Sequence, residues 1–258
     1  MANTRILLLI IVLLFINISL GCATNNDVTE RKQELHVAAA SNLVQVFTEL
    51  GQQFEEEHPI ELVFSFGSSG QLSDQIINGA PYDMFTPANI EFLDQLVNEG
   101  LLLEENYTTY AFGTIGFSTL KESDLQVDTF EDLLNDDIVK IAIANPEHAP
   151  YGMAAKQALE EAAVWEKVEE KLVYGRNISD TLALLQTKNV EVAMIALSLK
   201  DEETLTFTPI NEQLHEPLNH SISILKRSEK QEEAQAFIDF LLSERGQQTL
   251  VEYGYSLP

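Results

Sequence analysis

Two serines stand where runs of strand-forming residues give way to helix-forming ones. Ser41 follows "LHVAAA" with Asn42 beside it, and Ser69 sits in the run Gly67, Ser68, Ser69, Gly70 after "IELVFSF". Such small polar residues pack no core, so they are free to present hydroxyl and backbone N–H donors, and Gly67 and Gly70 let a backbone come close. Two further junctions have the same form: "IAIANPEHAP" leads into Tyr151 and Gly152, and "LVYGRN" leads into Ile178. Each helix start leaves N–H groups unpaired and carries roughly +0.5 of an elementary charge, which suits an anion without any basic side chain. Segments 39–45, 65–73, 147–154 and 177–181 hold no Lys or Arg. Brought together, they form a neutral, donor-rich anion cradle.

Other chemistries fit less well. Serine is a common N-cap, and "GSSG" taken alone is also a plain tight turn. A serine hydrolase needs a base beside its nucleophile, and the elbow G-x-S-x-G is absent. His148, the one histidine in these junctions, reads as a residue that positions "PEHAP". The five histidines are scattered and Cys22 is the single cysteine, so no metal centre is expected. Trp165, between charged neighbours on a helix, reads as a packing residue.

The elements that must carry these junctions alternate. Strands are expected over "LHVAAA", "IELVFSF", "YDMFTP", "YAFGTIGFST", "IVKIAIAN", "LVYG", "VEVAMIAL" and "HSISILKR". Helices fall between most of them, and two more, "EEAQAFIDFLLS" and "ERGQQTLVEYG", close the chain. This is α/β punctuation. The mature length approaches the roughly 250 residues at which single cores stop growing, so two lobes are expected, with a ligand between them at strand C-termini. The expected division is 35–114 with 205–258 in one lobe and 115–204 in the other.

The N-terminus reads as an export signal over residues 1–21: Arg5, an apolar run from Ile6 to Ile16, then small residues. That run is shorter than the roughly 20 residues of a membrane span. Cys22 follows Gly21 at the cleavage point and reads as a lipidation site, although Ser19 stands where leucine is usual and Leu20 is displaced by one. A polar leader, 22–34, follows. The expected location is the periplasm or cell surface, with the membrane touched only through the lipid anchor. With 15 basic and 41 acidic residues the formal charge is -26, which makes nucleic acid an unsuitable partner. An acidic surface of this kind serves solubility.

The stretches "AAASNL", "FSFGSSGQLSDQI", "GAPYDMF", "IAIANPEHAPYGMAAKQALE", "VAMIALS" and "AFIDFLLSERGQQTLVEYGYSLP" together resemble the molybdate-binding proteins of ABC importers. The resemblance covers nearly all of the mature chain. It implies a two-lobed periplasmic-binding-protein-like fold of class II, each lobe a mixed sheet flanked by helices, with an oxyanion in the cleft. Carried over by position, the ligand-binding serines are Ser41 and Ser69, and the backbone donors are Tyr151 and Ile178. Ala196 falls where some members have a strand tyrosine. Asn42, Ser68, Gly70 and Gly152 are implied as supporting residues. The implied protein is a monomer, not an enzyme, and has no cofactor; its partners are molybdate or tungstate and an ABC permease. Both oxyanions are dianions that only accept hydrogen bonds, whereas hydrogen phosphate also carries a proton that wants an acceptor. Sulfate is smaller. Sulfate, phosphate or another oxyanion is the alternative ligand, and a serine-dependent hydrolase the more distant one.

Overall fold

β1 (Gln33–Ala40) and β2 (Ile60–Gly67) run parallel, in register from Gln33 opposite Ile60 to Ala40 opposite Gly67. Leu35, Val37, Ala38 and Ala39 have no exposed surface, so β1 is covered on both faces and reads as a continuous apolar run instead of an alternation. Between the two strands a 3-10 turn (Ser41–Leu43) leads into α1 (Val44–Glu57). This helix buries Val46, Phe47, Leu50 and Phe54 along one stripe, which lays it against the sheet.

The computed structural model describes residues 33–102 and 107–258. The signal segment, Cys22 and the leader up to residue 32 lie outside the described residues. β1 begins at Gln33, two residues before the expected strand. The later elements are α2 (Ser69–Ile77), β3 (Met84–Thr86), α3 (Glu91–Asn98), β4 (Tyr107–Gly113), β5 (Ile115–Ser118), β6 (Ile141–Ala144), α4 (Pro150–Glu161) and α5 (Trp165–Val168). Then come β7 (Leu172–Gly175), α6 (Ile178–Gln186), β8 (Val192–Ala196), β9 (Thr208–Pro209), β10 (Leu218–Ile224), α7 (Gln231–Leu241) and α8 (Glu244–Glu252).

The strands form two five-stranded mixed sheets, ordered β2-β1-β3-β10-β4 and β7-β6-β8-β5-β9. In the first, β10 runs antiparallel to β3 and β4; in the second, β5 runs antiparallel to β8 and β9. The stretch "YAFGTIGFST", expected as one long strand, is two strands in different sheets, divided at Thr114. The chain returns to the first sheet after β9, which pairs with β5 although it falls in the segment 205–258 expected in the first lobe. A strand of two residues has no periodicity for sequence reading to detect.

Four parallel strands, β1, β2, β6 and β7, end at helix starts. α4 carries Pro150 in its first turn, where the missing N–H costs no helical bond. The main core includes residues of both sheets, and a second cluster around Ala38, Leu72, Ile76, Phe85 and Leu93 supports α2 and α3. Trp165 packs against the main core, with Lys156 Nζ 5.4 Å from its ring centroid.

Candidate functional site

Four helix starts converge on one cavity. It is lined by Ala40–Asn42, Gly67–Ser69, Ala88, Ala149–Tyr151 and Asn177–Ile178, and holds about 10 Å3, space on the scale of one water molecule. Pockets for drug-sized organic ligands run from about 300 to 1,000 Å3, so this one is far too small for such a ligand. No charged side chain lines it. Of the residues singled out in the sequence, Ser41, Ser69, Tyr151 and Ile178, with Asn42 and Ser68, meet here.

The hydroxyl of Ser69, at the first position of α2, accepts a hydrogen bond from Ala88 N at 3.1 Å. Its own hydrogen is left for another acceptor. The Ser41–Asn42 turn is held from the second sheet's side: Ser179 Oγ donates to Ser41 O at 2.9 Å, and Ser198 Oγ donates to Asn42 O at 3.0 Å. Asn177 caps α6, its side chain accepting from Asp180 N at 2.9 Å. Sequence reading missed Asn177 as a lining residue, although an Asn before a helix is the ordinary N-cap signal.

Beneath the cavity lies an uncharged polar network. Asn42 Nδ2 donates to Tyr255 Oη at 2.7 Å and lies 3.4 Å from Tyr151 Oη and 3.3 Å from His220 Nε2. Burial lowers the His220 imidazole to about 3, so it is neutral, and burial pushes the Tyr151 and Tyr255 hydroxyls up. No residue in this network carries charge at neutral pH. The cavity therefore offers an anion hydrogen-bond donors and helix dipoles, with no counter-ion.

Three expected residues have other work. Ala196 ends β8 opposite Ile115, is fully buried, and does not line the cavity. Its place inside the second sheet assigns it to the core. Gly70 does not line the cavity either; its N–H donates to His148 O at 2.9 Å. Gly152 lets α4 close on β6, since a Cβ there would stand 2.2 Å from Ala144 O. Ser68 lines the cavity, but its hydroxyl lies 2.5 Å from His148 O and 2.8 Å from His148 Nδ1.

A groove that shares Ser41, Gly67 and Asn177 with the cavity also contains Arg176 and Asp180. Arg176 Nε stands 2.5 Å from Asp180 Oδ2, which offsets the one basic group there.

Two mixed sheets, linked by chain crossings and sharing a small cavity at helix starts, define an α/β binding protein of the periplasmic type. Residues 35–256 match the bacterial extracellular solute-binding protein family, and the chain belongs to that family. It is 32% identical over 229 residues to the molybdate-binding protein ModA of Azotobacter vinelandii, covering 87% of this chain and 90% of that protein. It is 28% identical over 241 residues to YvgL of Bacillus subtilis, provisionally named an ABC transporter substrate-binding lipoprotein, covering 92% of each. Among solved structures it matches the periplasmic molybdate-binding protein of Azotobacter vinelandii with a TM-score of 0.81 at 26% identity, covering 87% of this chain and 99% of that one.

Proposed function

We propose that this chain captures molybdate, and with it tungstate, outside the cytoplasm and delivers it to the permease of an ABC importer. The observation that carries the reading is the cavity itself: about 10 Å3 at four helix starts, with no charged side chain. Ser41 and Ser69 supply hydroxyl donors, and the first-turn N–H groups at Ser69, Tyr151 and Ile178 supply backbone donors. Ala196 has no part in the binding set. Such a site favours a dianion that only accepts, and it gives a proton on hydrogen phosphate no ionised acceptor. Attachment at Cys22 would keep the protein at the membrane surface, a reading supported by Gly21–Cys22 and by the lipoprotein name of the Bacillus subtilis relative. Calorimetric titration with molybdate, tungstate, sulfate and phosphate in parallel tests the ligand. One tight site for molybdate or tungstate and no heat from phosphate are expected; equal binding of phosphate would overturn the assignment.

The 2.8 Å approach of Ser68 Oγ to His148 Nδ1 favours a second reading, a serine hydrolase. Two features oppose it. The Ser68 O–H has a nearer acceptor in His148 O, at 2.5 Å, and His148 Nε2 lies 3.4 Å from Gln71 Nε2, where a triad would place its nucleophile or an orienting carboxylate. Turnover of a p-nitrophenyl ester that vanishes in Ser68→Ala would restore the enzyme reading; no turnover is expected.

A further inference from the structure

We propose that His148 is the latch that holds the cavity closed and so sets how long the anion stays bound. The inference rests on the oxyanion-binding reading above. His148 lies in the loop between β6 of the second sheet and α4, whereas the α2 start follows β2 of the first sheet. Every bond between the two segments therefore joins one sheet's elements to the other's.

Four contacts do so. Gly70 N donates to His148 O at 2.9 Å, and Ser68 Oγ lies 2.5 Å from the same carbonyl. Ser68 Oγ is also 2.8 Å from His148 Nδ1, and Gln71 Nε2 is 3.4 Å from His148 Nε2. One hydrogen assignment satisfies all of them. The Ser68 hydroxyl donates to the carbonyl, Nδ1–H donates to Ser68 Oγ, and Nε2 accepts from the Gln71 amide. The histidine is thus held at both ring nitrogens and at its backbone by a single helix start.

The loop is firm enough to act as one piece with its sheet. Asn145 O accepts from Ala149 N at 3.0 Å, Asn145 Oδ1 accepts from Glu147 N at 2.9 Å, and Asn145 N donates to Gly175 O at 2.8 Å. On either side of the latch, Ser69 and Tyr151 line the cavity. An anion between them leaves by the parting of these segments, and that parting breaks the His148 contacts. Gly70 shows how close the approach is: a Cβ there would stand 2.8 Å from His148 O and 2.9 Å from His148 Cβ.

The test compares His148→Ala, Gly70→Ala and Ser68→Ala with wild type by stopped-flow molybdate association and dissociation. Gly70 sits in the first turn of α2 and does not line the cavity, so alanine there favours the helix while obstructing the approach of the loop. A latch predicts dissociation about tenfold faster in His148→Ala, faster also in Gly70→Ala, and association changed less than threefold in both. The thermal midpoint of ligand-free Gly70→Ala should not fall. His148→Ala and Ser68→Ala should be non-additive in dissociation rate, since each removes the same bond. Dissociation within twofold of wild type in both His148→Ala and Gly70→Ala overturns the latch, as does an effect confined to association. A wild-type protein that binds no molybdate brings down the functional reading and the latch with it; intact binding with unchanged dissociation brings down the latch alone.

Discussion

The molecule treats negative charge in two ways, and both can be seen around the first sheet. At Asp83 the charge is resident. Its carboxylate, on a side chain 10% exposed, lies 2.9 Å from Lys230 Nζ, accepts from His36 N at 2.9 Å, and accepts from Ser228 Oγ at 2.8 Å. Burial alone would raise this carboxyl, but the His36, Lys230 and Ser228 bonds outweigh it and hold the group below its usual value. The cavity at the ends of β1 and β2 is lined mostly by buried residues, yet nothing ionised lines it. A permanent buried charge needs a counter-ion, because its desolvation is never relieved. A guest that must leave is better served by neutral donors, which bind it while the site is closed and keep no uncompensated charge when it goes.

The largest expected effect breaks the resident pair. Lys230→Ala should cost about 3 kcal/mol of folding stability, the lower end for breaking a buried pair because the Lys230 side chain is 27% exposed. Molybdate affinity should not change. Denaturant titration beside calorimetry measures both, and a stability loss accompanied by an equal affinity loss would mean that the two regions are not independent.

Next comes the guest site. Ser41→Ala and Ser69→Ala should each weaken molybdate binding by about 1.5–3 kcal/mol, the range for hydrogen bonds to charged groups. Ser69→Ala should be the more damaging, because it also leaves the buried Ala88 N–H without the Ser69 oxygen. Equal, negligible losses in both would place the anion elsewhere.

The effect that is smallest per measured step, one pH unit, probes the neutral network under the cavity. His220 is fully buried and lowered by burial from 6.5 to about 3, whereas in the unfolded chain it takes up a proton near 6.5. Between these values the unfolded state binds more protons, so stability falls as pH drops from 6.5 toward 3, by about 1.4 kcal/mol per pH unit. The fall levels off below about 3. Carboxylates such as Asp83 titrate lower, so the upper part of this window belongs to the histidine. His220→Gln should flatten stability between pH 6.5 and 5; an unchanged slope would show that the network is not what titrates.

Much of the site was legible in local sequence. Ser41, Ser69, Tyr151 and Ile178 were picked out because each follows a strand-like run at a helix start, and all four line the one cavity. The signal is local: a strand end, a small or capping residue, then helical periodicity. Ala196 was implied only by the family resemblance, at the position where some members have a strand tyrosine; it is a buried residue of the second sheet and does not line the cavity. Gly70 looked like a close approach to a ligand, and it is a close approach to His148. The Ser68 and His148 partners stand 80 positions apart, and Asn42 stands 178 positions from His220. No spacing rule connects residues at such distances.

The amino-acid order by itself determined the alternation of strands and helices, the anionic surface, and a set of helix starts free of Lys and Arg, because these depend on neighbours within a few turns of chain. The tertiary structure decided which starts share a cavity, that the cavity is far too small for an organic ligand, that "YAFGTIGFST" divides between two sheets at Thr114, and that His148 meets Ser68 and Gly70. Those outcomes arise from how the two sheets lie against each other. That packing is set by burying residues from the whole chain at once, and no local stretch encodes it.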